Sequence, residues 1–249
     1  MRIIVVKDAE EVGRQGAQLV AEHLRRHPRT VLGLATGQTT VPFYRELVRL
    51  HREEGLDFSK STTFNLDEYY GLAPDDPRSY HRFMREQLFR HVNLDPARTH
   101  LPDGLAEDAA AECRRYTEAI AAAGGIDLQV LGIGVNGHIG FNEPGTALGA
   151  QAQLVRLRPE TVQRNEALAG KVELPATALS LGVKDIMHAR RLLLLASGPE
   201  KAGAVAAALE GPVTDEVPAS VLQLHPDLTV VLDRAAAARL SRPAEVNAG

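Results

Sequence analysis

The segment Gly132-Ile-Gly-Val-Asn-Gly-His-Ile-Gly-Phe-Asn-Glu-Pro-Gly145 gathers the side chains best suited to moving a proton. His138 can act as acid or base near neutral pH, and Asn136, Asn142 and Glu143 supply amide and carboxylate partners. Five glycines let the backbone wind closely around a small ligand. A dinucleotide loop is a poor fit, because the Gly-x-Gly-x-x-Gly pattern carries a histidine before any helix and has no clear ribose acid downstream. Phe64-Asn-Leu-Asp-Glu-Tyr69 adds two adjacent carboxylates at the end of a β-rich run. Strand alternation points Asp67 and Glu68 in opposite directions, so one of them faces a given pocket. A helix cap or a solvated pair would read the same way.

Two further turns suit an anion. Thr36-Gly37-Gln38-Thr39-Thr40 follows an apolar run and precedes a helical one with Pro42 in its first turn, where free N–H groups and hydroxyls would face a common point. It lacks the Gly-Lys-Ser/Thr ending of a nucleoside triphosphate loop. Ser197-Gly-Pro-Glu-Lys201 repeats the logic, with Lys201 in a first helical turn where the dipole disfavours a cation unless an anion joins it. A plain capping turn and a solvated surface lysine are the alternatives. The histidines are scattered without metal-ligand spacing.

These loops need a frame. Apolar runs at 1–7, 30–35, 62–66, 126–133, 178–181, 192–196 and 228–232 read as strands. Helical spacing at 8–26, 41–54, 79–92, 105–123, 199–210 and 233–240 alternates with them. The alternation predicts an α/β fold, a single open, mainly parallel twisted sheet with helices on both faces, in one domain spanning 1–249. In such sheets ligands bind beyond the carboxyl ends of the strands, where all four loops fall.

Composition narrows the function. The 249 residues carry 28 basic and 32 acidic side chains, a formal charge of −4, so no global positive field gathers nucleic acid or an anionic membrane. Apolar runs such as 192–196 are far short of a membrane span. Cys113 is the only cysteine, which leaves no internal disulfide and suits the reducing cytoplasm.

Taken together, Leu34-Ala-Thr-Gly-Gln-Thr-Thr40, Phe64 to Tyr69, Ser79-Tyr-His-Arg-Phe83, Leu131 to Gly145, Ser197 to Lys201 and Leu222-Gln-Leu-His225 resemble the glucosamine-6-phosphate deaminase family, in order across nearly the whole chain. The resemblance implies ring opening, aldose-to-ketose isomerisation and loss of ammonia, in amino-sugar catabolism and without a metal or redox cofactor. It implies that His138 opens the ring, tuned by Asn136 and Glu143, and that Asp67 moves a proton from C2 to C1. Thr36, Gly37, Gln38, Thr39 and Lys201 correspond to the phosphate cradle. The family's phosphate arginine falls at Ala167 here, and Arg164, three residues earlier, is expected to reach the same helix face. Residues from about 151 to 180 resemble the family's lid. No activator-binding residues are evident around Gln151 to Arg158, and the C-terminal extension is short. An unregulated monomer or small homo-oligomer is therefore expected. Two rivals remain: 6-phosphogluconolactonase, which shares the broader fold and a Gly-His loop, and a non-catalytic sugar-phosphate-binding protein.

Overall fold

Six of the apolar runs become neighbours in one sheet of the computed structural model, which describes residues 1–168, 170–241 and 245–246. In chain order the elements are β1 (Arg2–Val6), α1 (Ala9–Arg26), β2 (Val31–Leu34), α2 (Thr40–Glu54), β3 (Thr62–Asn65), β4 (Asp67–Tyr69), α3 (Tyr80–Gln87), β5 (Thr99–His100) and α4 (Ala109–Ala122). Then follow β6 (Leu128–Leu131), β7 (Gln153–Arg156), α5 (Pro159–Leu168), β8 (Thr177–Ser180), α6 (Val183–Met187), β9 (Leu192–Ala196), α7 (Ala202–Glu210), β10 (Leu228–Asp233) and β11 (Glu245–Val246). The main sheet runs β11-β1-β10-β9-β6-β2-β3-β5, with every pairing parallel.

Parallel strands covered on both faces must be apolar on both, and β9, Leu-Leu-Leu-Leu-Ala, is buried at every position. Alternate residues feed two cores. Leu193 and Leu195 meet α1, α2 and α3 on one face, whereas Leu192 and Leu194 meet residues of α4, α6 and α7 on the other. α1 begins where the Asp8 carboxylate accepts the Glu11 N–H at 3.0 Å, and it buries Val12, Ala17, Val20 and Leu24 as one stripe.

The strand order has a switch point. From β2 the chain moves outward through α2 to β3, and from β6 it moves the opposite way to β9. The crevice between the carboxyl ends of β2 and β6 is where such sheets bind ligands, and it is bounded by the Thr36 and Gly132–Gly145 loops.

Two expectations need correction. The 178–181 run is not in the main sheet: β8 pairs antiparallel with β4 and β7 in a second, three-stranded sheet. The chain leaves the main sheet at Leu66, whose N–H still reaches the Leu34 carbonyl at 3.0 Å, so the next residues are free to pair with the returning β8. Residues 234–239 form turns, not a helix. After Ala237 N–H bonds to Asp233, the pattern tightens to three-residue bonds, Ala238 to Ala235 and Leu240 to Ala237, and no ladder propagates. The ends of two expected helices are likewise 3₁₀ turns, Phe89–His91 and Pro199–Lys201. Residues 151–180 hold β7, α5 and β8 and pack Leu157, Leu174 and Ala178 against Tyr69, Leu72 and Phe141. Among the described residues no helix is long and apolar enough to cross a membrane.

Candidate active site

A cavity of about 320 Å³ opens at the switch point, walled by the Thr36–Thr40 loop, Asp67, the catalytic-loop candidates, one face of α5 and Lys201. Asp67 lies one residue beyond the end of the main sheet and is held by β4, paired with Ser180 of β8. It is 6% exposed, and no donor among the described residues reaches its carboxylate. Burial, and then the neighbouring Glu68 charge, push its pKa up to about 8.

Glu68 points the other way, as strand alternation requires. It is fully buried and accepts backbone N–H groups of Tyr69, Tyr80 and His81 at 2.7, 3.0 and 2.9 Å. It therefore anchors the first turn of α3. Burial still raises its pKa, against the pull of those donors.

The loop after β6 is wound by short bonds, Gly137 N–H to Gly134 O at 3.1 Å and Gly134 N–H to His138 O at 2.9 Å. The His138 ring lies so close over Gly134 that any Cβ there would collide with it. Asn136 is the hub: its Oδ1 accepts the His138 N–H at 3.2 Å and its Nδ2 donates to Glu143 Oε2 at 2.7 Å. His138 Nδ1 is buried without a hydrogen-bond partner, 3.6 Å from Glu143 Oε2. Glu143 does not line the cavity but stands behind His138. Burial pushes its carboxyl up, yet the His138, Thr161 and Asn136 side chains outweigh burial and hold it at about 2. Asn142 stays out of the cavity: it is fully buried and donates to the Ile139 and Leu181 carbonyls, both at 2.9 Å. It braces the loop.

The opposite end of the cavity is cationic. Thr36, Gly37, Gln38 and Thr39 line it ahead of α2, where Thr39 makes no side-chain cap bond and the Thr40 and Val41 N–H groups turn back onto the Gly37 and Gln38 carbonyls at 3.1 and 3.2 Å. Thr40 departs from the expectation that hydroxyls converge there, because its Oγ1 donates back to Gly37 O at 2.8 Å. Lys201 Nζ donates to the Ile133 carbonyl at 2.6 Å. Burial, and then nearby Arg164, lower its pKa to about 8 against the Glu200 charge. Arg164 reaches the cavity from α5 and pairs with Glu200 at 3.2 Å, whereas Ala167 is exposed and does not line it.

Tyr80, Arg158, Thr161, Asn165 and Glu200 also line the cavity and were missed as site residues. The signal existed: Thr161, Arg164 and Asn165 recur at helical spacing as one polar face of α5, and Arg158 extends it from the residue just before the helix.

Fold and site define a class: an open parallel α/β sheet whose switch-point crevice sets a buried carboxyl and a histidine beside a lysine and an arginine. The chain belongs to the family of glucosamine-6-phosphate isomerases and 6-phosphogluconolactonases, whose model matches residues 7–231. It is 49% identical over 241 residues to a glucosamine-6-phosphate deaminase of Halothermothrix orenii, covering 96% of this chain and all of that one. It is 45% identical over 242 residues to one from Clostridium botulinum, covering 97% and 99%. A solved structure of a monomeric glucosamine-6-phosphate deaminase superposes with a TM-score of 0.93 at 44% identity, over 96% of this chain and all of that one. The 6-phosphogluconolactonase of Trypanosoma cruzi, at TM-score 0.79 and 21% identity over 97% of each chain, shares the fold.

Proposed function

We propose that this enzyme converts glucosamine 6-phosphate and water to fructose 6-phosphate and ammonia. The observation that carries the reading is Asp67: a buried carboxyl without donors, facing a cavity that also presents His138, while its neighbour Glu68 is spent on α3. The deaminase relatives at 45–49% identity support the same choice.

The phosphate lies against Thr36, Gly37, Gln38 and Thr39, Lys201 and Arg164. His138 moves a proton to the ring oxygen as the ring opens, and Glu143, ionised at all working pH, supports the imidazolium with Asn136 fixing both partners. Asp67 removes the C2 proton of the open aldehyde, giving an enolamine, and returns a proton to C1. The resulting C2 iminium takes up water and releases ammonia, leaving the ketose. The substrate's ammonium, arriving beside Asp67, favours the ionised base. Residues 151–180 act as the lid over this site. The protein works as a cytoplasmic monomer without an allosteric activator.

The test is one pair of assays on purified enzyme: ammonia and fructose 6-phosphate release from glucosamine 6-phosphate, with hydrolysis of 6-phosphogluconolactone alongside. Equimolar ammonia and fructose 6-phosphate without lactonase activity is the expected result. Lactone hydrolysis alone points to the rival enzyme, and binding without either turnover to a sensor.

A further inference from the structure

Arg164 and Glu200 meet across the cavity, the first on α5 and the second in the 3₁₀ turn Pro199–Lys201 that leads into α7. Glu200 is a placed carboxylate. Gly198 has a φ of +94°, and a Cβ on it would lie 2.5 Å from Glu200 Oε2, so the glycine makes room for the carboxylate to fold back over the turn. Glu200, Arg164 and Lys201 all line the same end of the cavity. The anion site therefore contains a carboxylate as well as two cations.

That carboxylate has two opposing effects. It holds the Arg164 guanidinium through one oxygen at 3.2 Å, with side chains 37% and 46% exposed, and such single-contact exposed pairs contribute little. It also confronts a phosphate that is dianionic near neutral pH, inside a partly enclosed cavity where like charges repel more strongly than in bulk water. A dianion carries twice the charge of the guanidinium, which makes the repulsion the larger effect at comparable separation. We propose that Glu200 is a specificity-determining residue that weakens phosphate binding at this site, acting through its own charge on the bound anion. The proposal rests on reading this end of the cavity as the phosphate site. Binding that is equal in the ground and transition states lowers KM without raising kcat, so a carboxylate here limits retention of the phosphorylated product at no cost to the chemical step.

Phosphate binding by calorimetry, with inorganic phosphate as the probe, tests this on wild type, Glu200→Gln, Arg164→Ala and the double variant. Glu200→Gln is expected to bind phosphate about fivefold tighter or more, to lower KM for glucosamine 6-phosphate in parallel, and to keep a gain in the Arg164→Ala background. A second readout moves independently of structure. Glu200 holds the Lys201 pKa up, so its neutralisation should shift the alkaline limb of kcat/KM to lower pH. Unchanged or weaker phosphate binding in Glu200→Gln, or a gain that vanishes without Arg164, overturns the proposal alone. Failure of the wild type to bind phosphate overturns the phosphate site with it.

Discussion

Asp67 is held with its pKa near 8 by burial and by Glu68, so the residue proposed as the catalytic base is costly to ionise in the folded protein. The direction of the linkage is fixed. A folded pKa above the unfolded value of about 4 makes the neutral carboxyl favourable at low pH, and that advantage is lost as pH rises through about 8. Asp67→Asn should therefore raise the melting temperature at neutral pH by about 2–5 °C while lowering kcat about a thousandfold, read by calorimetry and by ammonia release. A less stable variant would contradict the burial argument, and full turnover would contradict the proton transfer. Lys201 sets the other limb of the pH profile. In the proposed mechanism it binds phosphate when protonated, below about 8, whereas Asp67 acts when ionised, above about 8. A narrow bell in kcat/KM centred near pH 8 is expected, and a flat profile from pH 6 to 10 would break the assignment. Bound phosphate raises the Lys201 pKa and the substrate ammonium lowers that of Asp67, so the bell in kcat should be broader than the bell in kcat/KM.

At the scale of elements, α3 depends on a residue outside itself. Glu68 on β4 accepts two N–H groups from the first turn of α3, at Tyr80 and His81, and one from Tyr69. Glu68→Ala should cost about 2–4 kcal/mol in urea unfolding, because it leaves buried donors unsatisfied. A cost under about 1 kcal/mol would refute the anchor. On α5, Arg164→Ala should raise KM about tenfold or more, since charge-assisted bonds to phosphate are the strong ones; an unchanged KM removes Arg164 from the site. These elements also mark what the sequence could yield. Six of the eight strands of the main sheet announce themselves because parallel strands buried on both faces are continuous apolar runs, whereas the two-residue edge strands β5 and β11 carry no such run. The opposed directions of Asp67 and Glu68 follow from strand periodicity alone. The antiparallel partner of β8 does not: its short apolar run resembles a main-sheet strand, and only the departure of the chain at Leu66 decides its sheet. Nor does composition separate the Ala-rich turn after Asp233 from a helix, since propensity there favours what the hydrogen bonds do not continue. Glu200 was visible as part of the lysine turn, but its partner on α5 lies 36 residues away in the chain.

Across the whole molecule, the switch point between β2 and β6 brings together residues from six separate stretches, with α5 forming one wall of the cavity. All groups used in the proposed mechanism come from one copy of the chain, so activity should be independent of enzyme concentration. Sedimentation should give a species near the 26.9 kDa of one chain, with hyperbolic kinetics unaffected by N-acetylglucosamine 6-phosphate. Sigmoidal kinetics relieved by that sugar would contradict this. The central claim is that one carboxylate, Asp67, carries a proton from C2 to C1 on a single face of the enolamine. Turnover of glucosamine 6-phosphate deuterated at C2, in ordinary water, followed by NMR of the fructose 6-phosphate formed, tests it most directly. Deuterium should appear at only one of the two C1 positions, and Asp67→Asn should form no labelled product; equal labelling of both positions, or full labelling by Asp67→Asn, would contradict the account.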